Sequence, residues 1–143
     1  DKLEFLMSSD KGKNFESLKR VASGGEMSRT MLGIKSILSK YSNLPAIIFD
    51  EIDTGVSGEV SNRIAEVMLA MSQNMQVITI THLPQIAAKG QQHYKVYKED
   101  NNGAITSNIK LLNEEERLVE LAEMLGGSKI TESAMAHAKQ LLS

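Results

Sequence analysis

Two short apolar runs, "AIIFDE" at 46–51 and "QVITITH" at 76–82, stand on either side of one amphipathic stretch. No other feature constrains the fold as much. Each run is short, and the second is rich in β-branched residues, so each reads as a strand. Between them Val60, Ile64, Val67 and Met71 step by 4, 3 and 4, the spacing of one helix face. Strand, helix and strand at this length make a βαβ unit with parallel strands. The unbroken apolar character of residues 46–49 predicts a buried strand, ending in a polar tip.

The flanking segments extend this unit. "KLEFLM" has the look of a short strand and "SSDKGKNFESL" that of a polar turn or loop. A helix is predicted from Gly24, with Met27, Met31, Ile34 and Leu38 on its inner face and Asn43 and Pro45 closing it off. Ser57 is placed to cap the helix of the βαβ unit, and a short helix should run from Pro84 to Gly90. "HYKVYKED", "NNG" and "AITSNIKLL" predict an antiparallel hairpin. Asn113 with Glu116 is a capping-box pattern ahead of Leu118, Leu121 and Leu125, a helix that Gly126 and Gly127 should end. Thr131 should cap a last helix that turns Ala134, Ala138 and Leu141 inward. The expected fold is α/β, one domain over 1–143, with a mostly parallel sheet flanked by helices and an antiparallel hairpin near the C-terminus.

Composition narrows the classes of function. With 41% apolar and 24% charged residues in 143, the chain can bury a core and is not of disordered type. A net charge of −2 gives no global attraction to nucleic acid or anionic lipid. There is no cysteine, hence no disulfide or thiolate chemistry, as in a reducing compartment. No apolar run approaches the roughly 18 residues of a membrane span, and no signal peptide opens the chain. A cytoplasmic location with no membrane partner is expected. The chain begins at Asp1 already strand-like, which reads as a piece of something longer.

In open α/β sheets ligands collect beyond the carboxyl ends of the strands. Asp50 and Glu51 follow one expected strand, and Thr81 and His82 end the other. Adjacent side chains on a strand point opposite ways. One acid can therefore hold a hydrated Mg²⁺ while the other faces a water or substrate. In "RVASGGEMSR", Ser23 and Glu26 form a capping-box pattern, and Gly24 and Gly25 leave bare N–H groups that suit an anion. Each signal has a plain alternative: an acidic turn cap, a surface histidine, a helix start, a strand-to-helix turn at "DTGVSG". The three histidines lack zinc-ligand spacing, and Ser23 has no base nearby in sequence. The methionines at 27, 31, 68 and 71 lie at helical spacing and belong to a core.

The order of these pieces adds a resemblance. "ASGGE", a helix, "AIIFDE", "DTGVSG", a second helix and a strand ending in "TH" resemble the second half of an ABC-type ATPase head. "ASGGE" is similar to its signature motif, "IIFDE" to the Walker B strand, "DTGVSG" to the D-loop and "ITH" to the switch histidine. The flanking strings "VASGGEMSR", "FDEIDTGVSG", "ITHLPQIAA", "LAEMLGG" and "ITESAMAHAKQLL" resemble the C-terminal part of the RecN family of bacterial DNA repair proteins, relatives of the SMC proteins. Glu26 in the signature and a D-loop without Ala-Leu-Asp separate this pattern from transporter subunits.

That resemblance implies roles. Asp50 would support Mg²⁺ through water, Glu51 would polarise the attacking water, and His82 would contact the γ-phosphate. Ser23, Gly24, Gly25 and Glu26 would serve ATP held by a second head, and Asp53 with its loop would sit across the interface. It also implies DNA double-strand-break repair and recombination in a bacterial cytoplasm, at the nucleoid when active. The partners implied are an N-terminal P-loop lobe of the same protein, a second head joined through ATP, and DNA through the full-length protein. No G-x-x-x-x-G-K-[ST] string and no long heptads occur in the chain, so by itself it should bind and hydrolyse ATP poorly. Alternatives of other classes are a non-catalytic interaction module on the same fold, or the equivalent half of a Rad50-like head.

Overall fold

A computed structural model describes residues 4, 6–8, 11–17, 24–39, 41, 44–50, 52–101, 103–127 and 129–143. Ser23, Asn43 and Glu51 lie outside the described residues, as does the side chain of Glu26. The βαβ unit is present. Strands β3 (Ala46–Phe49) and β4 (Gln76–Thr79) pair in parallel, Ala46 opposite Gln76 through Phe49 opposite Thr79. Helix α2 (Gly58–Met71) connects them. Ser57 stands at its N-cap with extended backbone, but its side chain makes no cap hydrogen bond. The fully buried Ser61 hydroxyl instead donates to the Gly58 carbonyl at 2.7 Å.

The strands are not buried on both faces. Ile47 and Phe49 point into the core, whereas Ile48 is 65% exposed and Ile78 and Ile80 are exposed beside it. Side chains alternate across a strand, and among the described residues only one face of this pair is covered. The covering core joins Leu32, Ile47, Phe49, Ile52, Ile64, Ala65, Met68, Met71, Met75 and Ile86.

Helix α1 (Gly24–Leu38) begins at the expected residue, and its inner face is the expected one only in part. Leu32 is its buried apolar residue and Gly25 is buried too, while Met31 and Leu38 are exposed. Met27 and Ile34 of the expected stripe are half-buried, as are Arg29 and Ser36. The stretch expected as a loop before it holds a strand: β1 (Leu6–Met7) pairs antiparallel with β2 (Glu16–Ser17) around a turn at Lys11 and Gly12.

Helix α3 (Pro84–Lys89) links two cores, with Ile86 in the first and Ala88 in the second. The second core is made of small residues: Ala122 from α4 (Glu114–Gly126), and Ala134 and Ala138 from α5 (Glu132–Leu142), around Leu121. The helix starts follow local chemistry as expected. Asn113 Oδ1 accepts from the Glu116 amide at 2.9 Å while Glu116 Oε2 accepts from the Asn113 amide at 3.1 Å. Thr131 Oγ1 accepts from the Ala134 amide at 3.1 Å. The hairpin β5 (Tyr94–Asn101) and β6 (Ala104–Leu111) is in register from Tyr94–Leu111 to Asn101–Ala104. Lys95 and Lys110 share one of its faces and pair with Glu116, Glu120 and Glu123 of α4. Val96, Ile105 and Ile109 on the other face are exposed.

Candidate functional site

The polar residues collect where an open α/β sheet collects ligands, beyond the carboxyl ends of β3 and β4. The ladder hydrogen bond from the Ile80 amide to the Phe49 carbonyl, 2.9 Å, keeps the two chain ends side by side past the last paired residues. Asp50 is exposed there. Ile52, 1% exposed, then plunges into the core and anchors the loop. A tight turn follows, with the Val56 amide donating to the Asp53 carbonyl at 3.3 Å and Gly55 at φ 69°, where a side chain would be strained.

Asp53 points inward, 3% exposed. Its Oδ2 accepts from the Thr81 hydroxyl at 2.5 Å and from the His82 amide at 2.9 Å. His82 Nδ1 lies 3.1 Å from the same oxygen. Thr81 Oγ1 in turn accepts from the Leu83 amide at 3.0 Å, so the strand end and the entry to α3 are tied to the loop. Burial works against the charged carboxylate, but the Thr81 hydroxyl, the His82 amide and the His82 ring outweigh it and hold the Asp53 pKa below its ordinary 3.8.

The next residue faces the other way. Arg29 of α1 donates from a guanidinium nitrogen to the Thr54 carbonyl at 3.1 Å. A Cβ on Gly25 would lie 2.4 Å from that carbonyl oxygen and 2.9 Å from the guanidinium. Only a glycine lets the start of α1 close on the loop this tightly. Residues 53 and 54 are thus a junction: one carboxylate holds the end of the second strand and one carbonyl seats the first turn of α1.

Of the residues singled out from the sequence, Gly25, Asp53 and His82 come together through this junction, and Gly24 opens α1 beside it. Asp53 sends its carboxylate into its own chain, while Thr54 and Gly55 of the loop are exposed. Ser23 and Glu51 lie outside the described residues. Arg29 had no role in the sequence reading. The string "GGEMSR" carries it one helical turn beyond Gly25, the one signal that it shares the glycine's face.

The donor set fits part of a nucleotide site. Asp50 offers an exposed carboxylate, and Mg²⁺ on a phosphate needs only one or two. Among the described residues no group of three or more His, Cys, Asp or Glu could hold a metal unaided. The Gly24–Leu38 helix offers N-terminal amides, which favour an anion. Nothing in the sequence supplies the glycine-rich cradle for a nucleotide.

The chain is similar to DNA repair protein RecN of Bacillus subtilis (strain 168), 46% identical over 142 residues, which is 99% of this chain and 25% of that protein. RecN of Halalkalibacterium halodurans is 43% identical over the same shares. The chain therefore spans about a quarter of the length of the curated relatives it matches. Among solved structures, the Smc head domain with a coiled coil and joint from Pyrococcus yayanosii superposes with a TM-score of 0.62 at 25% identity, covering 78% of this chain and 21% of that one. No family model matches. The fold is that of SMC ATPase head structures. Among the described residues no helix is long and apolar enough to cross a membrane.

Proposed function

We propose that this RecN-like chain is the C-terminal lobe, 1–143, of an ATPase head that serves DNA double-strand-break repair and recombination in the bacterial cytoplasm. The observation that carries the reading is the junction at residues 53 and 54. It ties the helix that begins at Gly24 to the strand end that bears His82, which supports reading "SGGE", "DTGVSG" and "ITH" as the signature, D-loop and switch histidine of one site. Motif order and the match to RecN over 99% of the chain support the same reading.

In this assignment Asp50 holds Mg²⁺ through water, Glu51 polarises the attacking water, and His82 serves the γ-phosphate in its own head. Gly24 and Gly25, with Ser23 and Glu26 defining the helix start, serve ATP held by a second head. The P-loop lobe of the same protein completes the cradle, and DNA is engaged by the full-length protein. ATP with Mg²⁺ supplies the transferable phosphoryl group and neutralises charge as it leaves. Apart from the water that Glu51 activates, what is asked of this chain is positioning and electrostatics, the larger part of phosphoryl-transfer catalysis.

The test is Glu51→Gln in a full-length RecN protein carrying these residues. ATP turnover, read as phosphate release, should fall by about 100-fold or more, while a nucleotide titration shows binding retained. Turnover at the parent rate would overturn the assignment of Glu51 as base.

A further inference from the structure

Helix α1 has one deep anchor. Among the described residues Leu32 is its only large apolar side chain buried in the core, where it joins Ile52 from the start of the loop. Gly25 lies seven residues before Leu32 (32 − 25), about 10 Å away along the helix axis. A rocking of roughly 10° about Leu32 would swing the first turn by about 2 Å at that radius. A displacement of that size breaks a hydrogen bond. A polar contact near the start of the helix opposes the swing: Arg29 Nη1 donates to the Thr54 carbonyl at 3.1 Å. Gly25 makes room for it. A Cβ there would lie 2.4 Å from the Thr54 oxygen and 2.9 Å from the same Nη1, so guanidinium and carbonyl meet over the bare face of the glycine. Thr54 follows directly on Asp53, whose carboxylate accepts from the Thr81 hydroxyl and the His82 amide, so the far end of the tether is itself held.

From these contacts we propose that Arg29 is a positioning residue: by holding the Thr54 carbonyl it sets the first turn of α1 against the loop, and with it where the amides of that turn stand for the phosphate of a second head. The acceptor is a neutral carbonyl, so the bond asks for a donor of this reach rather than for a charge. The loop runs from Asp50 to Thr54, and the helix start therefore follows it. A shift at the end of β3 in one head is felt at the ATP of the other. A misplacement of about 1 Å is enough to cost on the order of 100-fold in rate. The consequence for turnover rests on the ATPase reading above; the tether does not.

The experiment uses a full-length RecN protein carrying these residues. Arg29→Met keeps the stem and removes the donor, and Arg29→Lys keeps a donor on a slightly shorter reach. Amide hydrogen exchange over the first turn of α1 should quicken in Arg29→Met and much less in Arg29→Lys, whatever the protein hydrolyses. Phosphate release in the first turnover should fall by about 10–100-fold in Arg29→Met, with nucleotide binding retained, and recover in part in Arg29→Lys. Mixing shows on which head Arg29 acts. Arg29→Met and Glu51→Gln are each slow alone. In a mixed pair one site keeps its own Glu51 and takes an intact α1 from its partner, so release should rise to roughly a quarter of the parent's in a random mixture of two-fold dimers. No rise on mixing, or parent release in Arg29→Met, overturns the positioning role, and unchanged exchange in Arg29→Met overturns the tether. Where Arg29→Met fails to fold, Arg29→Gln, whose amide stops short of the carbonyl, carries the same test. Parent turnover in Glu51→Gln would sink the base assignment instead, and the exchange rates would still decide the tether.

Discussion

At the scale of single residues, two of the displaced ionisable groups, His93 and Asp53, act in separate pH windows. The His93 ring is half-buried, and its Nδ1 has no hydrogen-bond partner among the described residues. Burial lowers its pKa below 6.5; Arg117 and Lys95 push the same way and Glu120 opposes them. The folded protein therefore resists the proton that the unfolded chain accepts. Stability is whole above 6.5 and is lost as pH falls through that value towards the lowered folded one. Asp53 is the acidic counterpart. Its carboxylate favours the fold above 3.8, and that contribution disappears as pH drops below this value towards the lowered folded pKa. Urea unfolding at a series of pH values should show a decline beginning near pH 6.5, and His93→Gln should flatten that limb without touching the one below 3.8. An unchanged slope in His93→Gln would remove His93 as its cause.

At the scale of elements, what could be read in advance was whatever is decided by neighbours in the chain. The Asn113–Glu116 box and the Thr131 cap each close over three residues and stand as expected. The period at 27, 31, 34 and 38 announced a helix, but the side it turns inward is set elsewhere. Gly25 meets the Thr54 carbonyl, a contact across 29 positions that no local pattern encodes (54 − 25). The Asp53 partners, 28 and 29 residues ahead, were hidden for the same reason, so the loop was legible as a motif and its inward carboxylate was not. Two glycines of α1 test this account. Ala at Gly25 would place Cβ 2.4 Å from a backbone oxygen that cannot yield without opening the turn, at a cost of about 1–3 kcal/mol, the range typical of overpacking. Ala at Gly33, where nothing lies within 4 Å, should instead stabilise by roughly 0.4–1 kcal/mol. Denaturant midpoints of the two variants should move in opposite directions. A shift of the same sign would mean that α1 does not rest on the loop through Gly25.

At the scale of the whole molecule, the chain satisfies its interior better than its sheet surfaces. Both ends of α3 are spoken for, since Ile86 fills one core and Ala88 the other, and the buried Arg117 locks the exit of α3 by donating to the carbonyls of Ala88 and Gly90. Among the described residues the outer face of β3 and β4 has no such cover: Ile48, Ile78 and Ile80 lie side by side in the open. A two-stranded pair is marginal unless its faces and edges find company. Contiguous exposed aliphatic surface of this kind marks an interaction face rather than a solvent face. A chain spanning a quarter of its relatives' length would leave such a face bare when prepared by itself. The isolated 143 residues should therefore self-associate with rising concentration, read by sedimentation velocity. Ile48→Thr with Ile78→Thr should shift the distribution towards monomer at little cost in stability, because exposed positions typically move stability by about 0.5 kcal/mol or less. The same pair placed in a full-length RecN protein should be more damaging, if the rest of that protein covers this face. Monomer at every concentration, with the double variant equally silent in both settings, would show that the strip is ordinary surface.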